Sequence, residues 1–321
     1  MKVVGIDIGK RKFDVALLDQ GKVRNKVFDN TPAGHHALRH WLEAHACAVL
    51  DTHLCMEATS HYYEAVATAL HAAGYQVSVV NPLQIKAFGE SRLRRQKTDR
   101  ADAELIARFC EQQSPLPWQP PAAEVKELQR LLARLEAVQE MRVQELNRRH
   151  EASGEALESV ERMLGVLNDE LAKLEQRIQD HIDQNPSLRE QHALLTSIPG
   201  VGDRVSTYCL AWLQAERFDD VRQAVAFVGL SPSHHESGDS VHGKTRVSKV
   251  GHRRLRKILY LPAMSAARYN PAAKALSIRL KAAGKPGKAI VCAVMRKLIH
   301  WIFGVLKSKQ PFDVKLALAK G

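Results

Sequence analysis

The chain has 321 residues, 45% hydrophobic and 26% charged, an ordinary globular balance with length enough for two or three domains. A formal net charge of +12 and a pI near 9.5 point to a polyanionic partner. Five cysteines (Cys47, Cys55, Cys110, Cys209, Cys292) without a CxxC pair argue against a zinc site or a disulfide framework. No apolar run is expected to reach membrane-span length and the amino terminus lacks the order of a signal peptide, so the expectation is a cytoplasmic protein with no membrane partner.

Lys2 to Asp14 reads KVVGIDIGKRKFD. Val3, Val4, Ile6 and Ile8 form a β-branched run that Gly9 ends, and Asp7 lies inside it. A carboxylate there must be protonated, paired or neutralised by a cation. Phe13 to Leu17 continues as a second strand, and Gly21 turns into a third, Lys22 to Phe28. Such a meander opens ribonuclease H-like nucleases, and equally sugar kinases and actin-like ATPases; the latter need further glycine-rich phosphate loops, which the chain lacks. Thr31 and Pro32 start a helix, Thr52 to Met56 a fourth strand ending in Glu57, Ala58 to Ser60 a helix running to about Ala73, and Gln76 to Val80 a fifth strand closed by Asn81 and Pro82. The order matches the ribonuclease H-like layout.

Ser91 to Asp102, SRLRRQKTDRAD, is dense in cations and then sets Asp99 and Asp102 three apart as a helix begins, on one helical face. Taken alone, the pair reads as capping and salt bridges to Arg94, Arg95 or Arg100. With Asp7 and Glu57 it makes four carboxylates at one edge of the expected sheet, whose repulsion a hard divalent cation such as magnesium relieves. Two such ions can activate an attacking oxygen and stabilise a leaving one on a phosphodiester.

A proline-rich break, Ser114 to Pro121, precedes long polar helices. Val125, Leu128, Leu132 and Leu135 keep a heptad seam expected to fray at Gln139 and Arg142. After a turn at Ser153 and Gly154, Leu157, Val160, Leu164, Leu167, Leu171, Leu174 and Ile178 alternate steps of three and four, the mark of a helical hairpin or coiled coil. Ile198-Pro199-Gly200-Val201-Gly202 has the form of a helix-hairpin-helix turn, with Gly200 and Gly202 letting backbone approach a nucleic-acid phosphate. From Val241 to Phe312 there are 17 Lys and Arg and no Asp or Glu, a nucleic-acid face in which Lys244, Arg246, Lys249, Arg253 and Arg254 cluster.

The chain resembles the DEDD transposases of the insertion-sequence 110 family over nearly its whole length, through GIDIGK, CMEAT, KTDRADA, SIPGVG and GLSPSHHESGDSVHGKTRVSKVGHRRLR. The resemblance implies a RuvC-like domain (1–113) whose quartet Asp7, Glu57, Asp99 and Asp102 holds Mg2+, with Mn2+ as the substitute. It further implies a coiled-coil hairpin (122–184) joining protomers into a dimer that assembles to a tetramer, and a mostly helical transposase domain (190–321) with a nucleophilic serine. By motif match that serine is Ser237; the residues alone do not separate it from Ser231, Ser233, Ser240 or Ser248, nor assign roles to His234, His235 and His242. The implied reaction is magnesium-dependent cutting and exchange of donor and target DNA through a phosphoserine link, directed by a structured noncoding guide RNA. The alternative is a Holliday-junction-type endonuclease using water, which leaves Ser237 and the carboxy-terminal domain unexplained.

Overall fold

Alternating apolar residues at the amino terminus build one mixed sheet. β1 (Lys2–Ile8), β2 (Lys12–Asp19) and β3 (Lys22–Asp29) form an antiparallel meander, and β4 (Thr52–Glu57) and β5 (Gln76–Val80) extend it parallel to β1. The resulting order, β3-β2-β1-β4-β5, is the ribonuclease H-like arrangement that the sequence predicts. The computed structural model describes residues 1–58, 60–92, 98–233, 236–237, 241–242, 246–248 and 250–319; for Ser233, Glu236, Ser237, Val241, His242 and Arg246 the description is of the backbone. The chain divides into two units, Met1–Pro121 and Ala122–Gly321.

In the first unit the two faces of the sheet are covered by different helices, because successive strand residues point to opposite sides. Val4, Ile6, Leu54 and Met56 pack with Leu38 and Leu42 of α1 (Pro32–Ala44) and Val66 and Leu70 of α2 (Tyr63–Ala72). Val3, Ala16, Leu18 and Cys55 face the other way, onto Ile85 of α3 (Pro82–Ser91) and Ala103, Ile106 and Ala107 of α4 (Asp99–Gln113). Caps fix where the helices start: Thr31 Oγ1 accepts from the Gly34 amide at 3.2 Å and Thr98 Oγ1 from the Ala101 amide at 3.3 Å.

Two expectations change here. The helix predicted from Ala58 begins at Tyr63, because Ser60 takes φ +55°, outside the right-handed helical region; Thr59 lies outside the described residues. Asn81 and Pro82, which close β5, also start α3: the Asn81 side chain accepts from the Leu83 amide and Pro82 fills the first turn, so the signal that stops a strand opens a helix.

The second unit is helical around one core. α5 (Ala123–Arg149) and α6 (Gly154–Gln184) run antiparallel, as three crossings show: His181 Nε2 to the Glu124 carbonyl at 2.7 Å, Arg142 Nε to Asn168 Oδ1 at 2.6 Å, and Arg149 Nη1 to Glu161 Oε1 at 3.8 Å. Leu164, Leu167, Leu174 and Ile178 are buried, and in α5 the last buried residue is Val138, so the apolar seam ends where fraying was expected, at Gln139 and Arg142. Then come α7 (Pro186–Thr196), α8 (Asp203–Trp212), α9 (Val221–Val228), four two-residue strands, α10 (Arg253–Ile258), α11 (Tyr260–Tyr269), α12 (Pro271–Ala282), α13 (Gly287–Ser308) and α14 (Val314–Ala319). The expectation that no run reaches membrane-span length is corrected by α13, which is long and apolar enough by length and composition. Its apolar residues have a use in the core: Val294, Leu298, Ile299 and Ile302 are fully buried, against α9, α11 and α12 among others.

Candidate active site

The acids of the first unit are brought to one end of the sheet by strand register and by a missing side chain. β1 and β4 pair in parallel up to Ile6 opposite Met56, so the next residues along, Asp7 and Glu57, lie side by side near the ends of adjacent strands. Alternation puts both on the face that α4 covers. At Gly5 a Cβ would lie 2.1 Å from the Ala103 carbonyl oxygen and 2.3 Å from the Ala107 amide nitrogen, so α4 rests directly on β1 backbone. With Ala103 held over Gly5, the first turn of α4, bearing Asp99 and Asp102, lies toward Asp7. Negative charge in that turn also suits the positive end of the helix.

The electrostatics record this convergence. Burial, and then the charges of Asp102, Glu57, Asp99 and Asp14, push Asp7 from its ordinary 3.8 up to about 7. Asp99 leans on a cation as well, its Oδ2 3.5 Å from Lys12 Nζ. Three groups that sequence reasoning did not single out shape the surroundings. Asp14 lies directly opposite Asp7 in the β1–β2 register, is 8% exposed, and is raised by its own burial despite Lys12; the FDV alternation of β2 is its only sequence signal. Asn30 donates from Nδ2 to the Gly9 and Tyr62 carbonyls, both at 3.1 Å, and so ties the β1–β2 turn to the segment after β4. His35 packs beneath at 3.0 Å from Asn30 Oδ1, and burial holds it below the usual histidine range.

In the second unit the glycine turn joins α7 to α8, with two different glycines. Gly200 sits at φ +102°, and a Cβ there would come within 2.6 Å of Ala266 Cβ on α11. The buried Asn270 fastens the same turn by donating to the Pro199 carbonyl at 3.0 Å while capping α12. Gly200 therefore serves packing within the chain. Gly202 has nothing within 4 Å of its Cβ position and leads into α8, whose first turn carries the exposed Asp203, 3.5 Å from His192 Nε2.

Ser237 belongs to β7 (Glu236–Ser237), which pairs with β8 (Val241–His242) inside an outer pair, β6 (Pro232–Ser233) with β9 (Arg246–Val247). Nested hairpins put Ser237 at the last paired position before the 238–240 connection. His234, His235, Gly238, Ser240, Lys244 and Lys249 lie outside the described residues. Arg253 is exposed. Arg254 is engaged, its Nε 2.8 Å from Glu136 Oε2, and Tyr208 donates to the other oxygen of that carboxylate at 2.9 Å. His252 begins α10 by accepting from the Leu255 amide at 3.2 Å; burial, with the charges of Arg254, Arg217 and Arg256, holds it down to about 4, so it stays a neutral cap.

Comparison with known proteins places these features in a family. Residues 4–153 match a family model described as "Transposase", DEDD_Tnp_IS110, and residues 192–277 match one described as "Transposase IS116/IS110/IS902 family". The pilin gene-inverting protein of Moraxella bovis is 32% identical over 316 residues, 98% of either chain, and its counterpart in Moraxella lacunata matches to the same extent. An uncharacterised 43.6 kDa protein of insertion element IS110 from Streptomyces coelicolor is 30% identical over 141 residues, 41% of this chain and 35% of that one. The RuvC of T. thermophilus, solved with a Holliday junction substrate, aligns with 37% of this chain and 99% of its own at 17% identity and a TM-score of 0.29, a likeness too slight to bear on function. The chain belongs to the IS116/IS110/IS902 family of transposases, and is an enzyme that acts on DNA.

Proposed function

We propose that this transposase cuts and rejoins DNA strands through a covalent phosphoserine link at Ser237, that Asp7, Glu57, Asp99 and Asp102 hold the Mg2+ or Mn2+ the reaction needs, and that a structured noncoding RNA selects the sites. The observation that carries the reading is the gathering of carboxylates on one sheet face, whose charges add to burial in raising the Asp7 pKa to about 7. Hard oxygen donors in that number fit a hard divalent cation. Among the described residues no three His, Cys, Asp or Glu side chains already stand at metal-ligand spacing, so the fit is one of donor chemistry and shared face. A divalent ion there supplies charge neutralisation to a phosphodiester.

The chain's own part is a transfer of one bond for another. The Ser237 hydroxyl oxygen bonds to phosphorus as the bond from phosphorus to the departing strand's oxygen breaks, and the hydroxyl proton ends on that oxygen. Attack by a different strand reverses the step, so exchange proceeds without an external energy source. A relative named for inverting a gene supports strand exchange over simple cleavage. The acid-free run from Val241 to Phe312 supports phosphate contact by many cations, Lys244, Arg246, Lys249 and Arg253 among them, with no carboxylate and few amide side chains to read bases; this favours leaving sequence choice to RNA pairing. Arg254 enters that face only by leaving Glu136. Because the Leu164 to Ile178 seam is closed by α5 within the chain, assembly into a dimer and then a tetramer falls to exposed apolar residues of the same pair, Met141, Val143, Met163 and Val166.

The deciding experiment is recombination between two plasmids by purified protein, with and without the RNA transcribed beside the gene. Expected are site-specific products only with RNA and Mg2+, and a protein–DNA adduct on denaturation. Cleavage without an adduct turns the reading toward a water-using nuclease, and site-specific products after nuclease removal of RNA overturn the guided mechanism.

A further inference from the structure

The acid-bearing face of the first unit holds one carboxylate more than the motifs account for. In the antiparallel β1–β2 pair Asp7 lies opposite Asp14, and residues directly opposite carry their side chains on the same face, with Cβ atoms about 4.5–5.5 Å apart. Asp14, Ala16 and Leu18 alternate onto the side that α4 covers, and Ala16 and Leu18 are packed there. That is the side of Asp7 and Glu57 and of the α4 turn with Asp99 and Asp102.

The surroundings of Asp14 do not explain it as a structural residue. It is 8% exposed, and among the described residues its carboxylate has no hydrogen bond and no ion pair. Lys12, two residues before it, places Nζ 3.5 Å from Asp99 Oδ2 instead. Asp99 acts on Asp14, and Asp14 on Asp7, as like charges. A carboxylate drawn into a mostly buried position among other carboxylates, with Lys12 as the attracting charge, weakens a fold unless a further positive charge joins it. Were only packing at stake, an apolar residue such as its neighbours Phe13 and Val15 would serve better at this position.

We propose that Asp14 is a fifth carboxylate of the cation site, a positioning residue that draws a divalent cation to the β1–β2 end of the face, beside Asp7. The proposal rests on the reading that Asp7, Glu57, Asp99 and Asp102 hold such a cation. It assigns Asp14 two opposed effects, destabilising the fold in chelator and tightening cation binding.

Both effects are measurable on the full chain with Mn2+ as the probe, by calorimetry or by the paramagnetic resonance of free Mn2+, with Asp14→Asn as the test and Glu43→Gln, which removes an exposed acid of α1, as the control for net charge. Asp14→Asn should weaken Mn2+ binding about tenfold, the scale seen when a supporting partner of a metal site is removed. Glu43→Gln should leave it within about twofold, since an exposed distant charge is screened. In chelator the Asp14→Asn protein should melt higher than wild type, and saturating Mn2+ should raise its melting temperature by less. Mn2+ affinity equal to wild type overturns the assignment of Asp14 alone. An Asp14→Asn protein that is unfolded, or melts lower in chelator, makes the carboxylate structural and also overturns it. Wild-type protein that takes up no Mn2+ overturns both this proposal and the cation reading beneath it.

Discussion

The two units place their chemistry by opposite means. In the first, the acids are attached to regular structure: Asp7 and Glu57 lie near the ends of adjacent strands, Asp99 and Asp102 begin a capped helix, and Gly5 lets that helix touch strand backbone. In the second, Ser237 stands on a two-residue strand inside nested hairpins, and a long acid-free run rich in Lys and Arg follows it in sequence. Like charges gathered on a stiff scaffold store repulsion that a cation can relieve, whereas the serine proposed as nucleophile is carried on short ladders.

The sharpest test of that contrast sets Asp7→Asn against Ser237→Ala. Each should lower strand cleavage by about a thousandfold or more. Mn2+ binding should fail only in Asp7→Asn, and both should retain DNA affinity within a few fold in a filter-binding titration. Loss of Mn2+ binding in Ser237→Ala would erase the distinction between the units.

Next in size is the scaffold itself. Gly5→Ala must push α4 off β1, since the atoms in its way are backbone, and should destabilise the first unit by about 3–4 kcal/mol in urea unfolding, with Mn2+ binding lost in whatever remains folded. A Gly5→Ala protein of wild-type stability would mean that α4 is not held by this contact.

The stored repulsion has its own pH signature. The Asp7 pKa is raised on folding, so its contribution is fully present below pH 3.8 and is lost as pH rises through about 7. After allowance for partial exposure the loss is roughly 3 kcal/mol at most. In chelator the first unit should melt lower at pH 8 than at pH 5, and Asp7→Asn should flatten that slope and be the more stable protein at pH 8. A flat wild-type profile would deny the crowding.

The smallest effect separates the two glycines of the second unit. Gly200→Ala should cost about 2–3 kcal/mol, through positive φ and the contact with Ala266. Gly202→Ala should change stability by less than about 0.5 kcal/mol, as its Cβ position is open. If Gly202→Ala also leaves salt-dependent DNA binding unchanged, the turn is a structural corner and not a phosphate contact.

Several of these features are legible without coordinates. Strand alternation, the three-residue spacing of Asp99 and Asp102, the seam of α6 and the acid-free run are local periodicities, and one period of backbone geometry suffices to interpret them. Ser237 is marked by resemblance alone, because a serine before a glycine has no periodicity to read. Tertiary structure alone decided that Asp14 belongs with Asp7, that Arg254 is paired with Glu136, that Gly200 is spent on Ala266, and that the most apolar helix is a core helix. Each of these depends on which distant segment is adjacent in space, and a chain read one residue at a time carries the charge and size of a side chain but not the identity of what it meets.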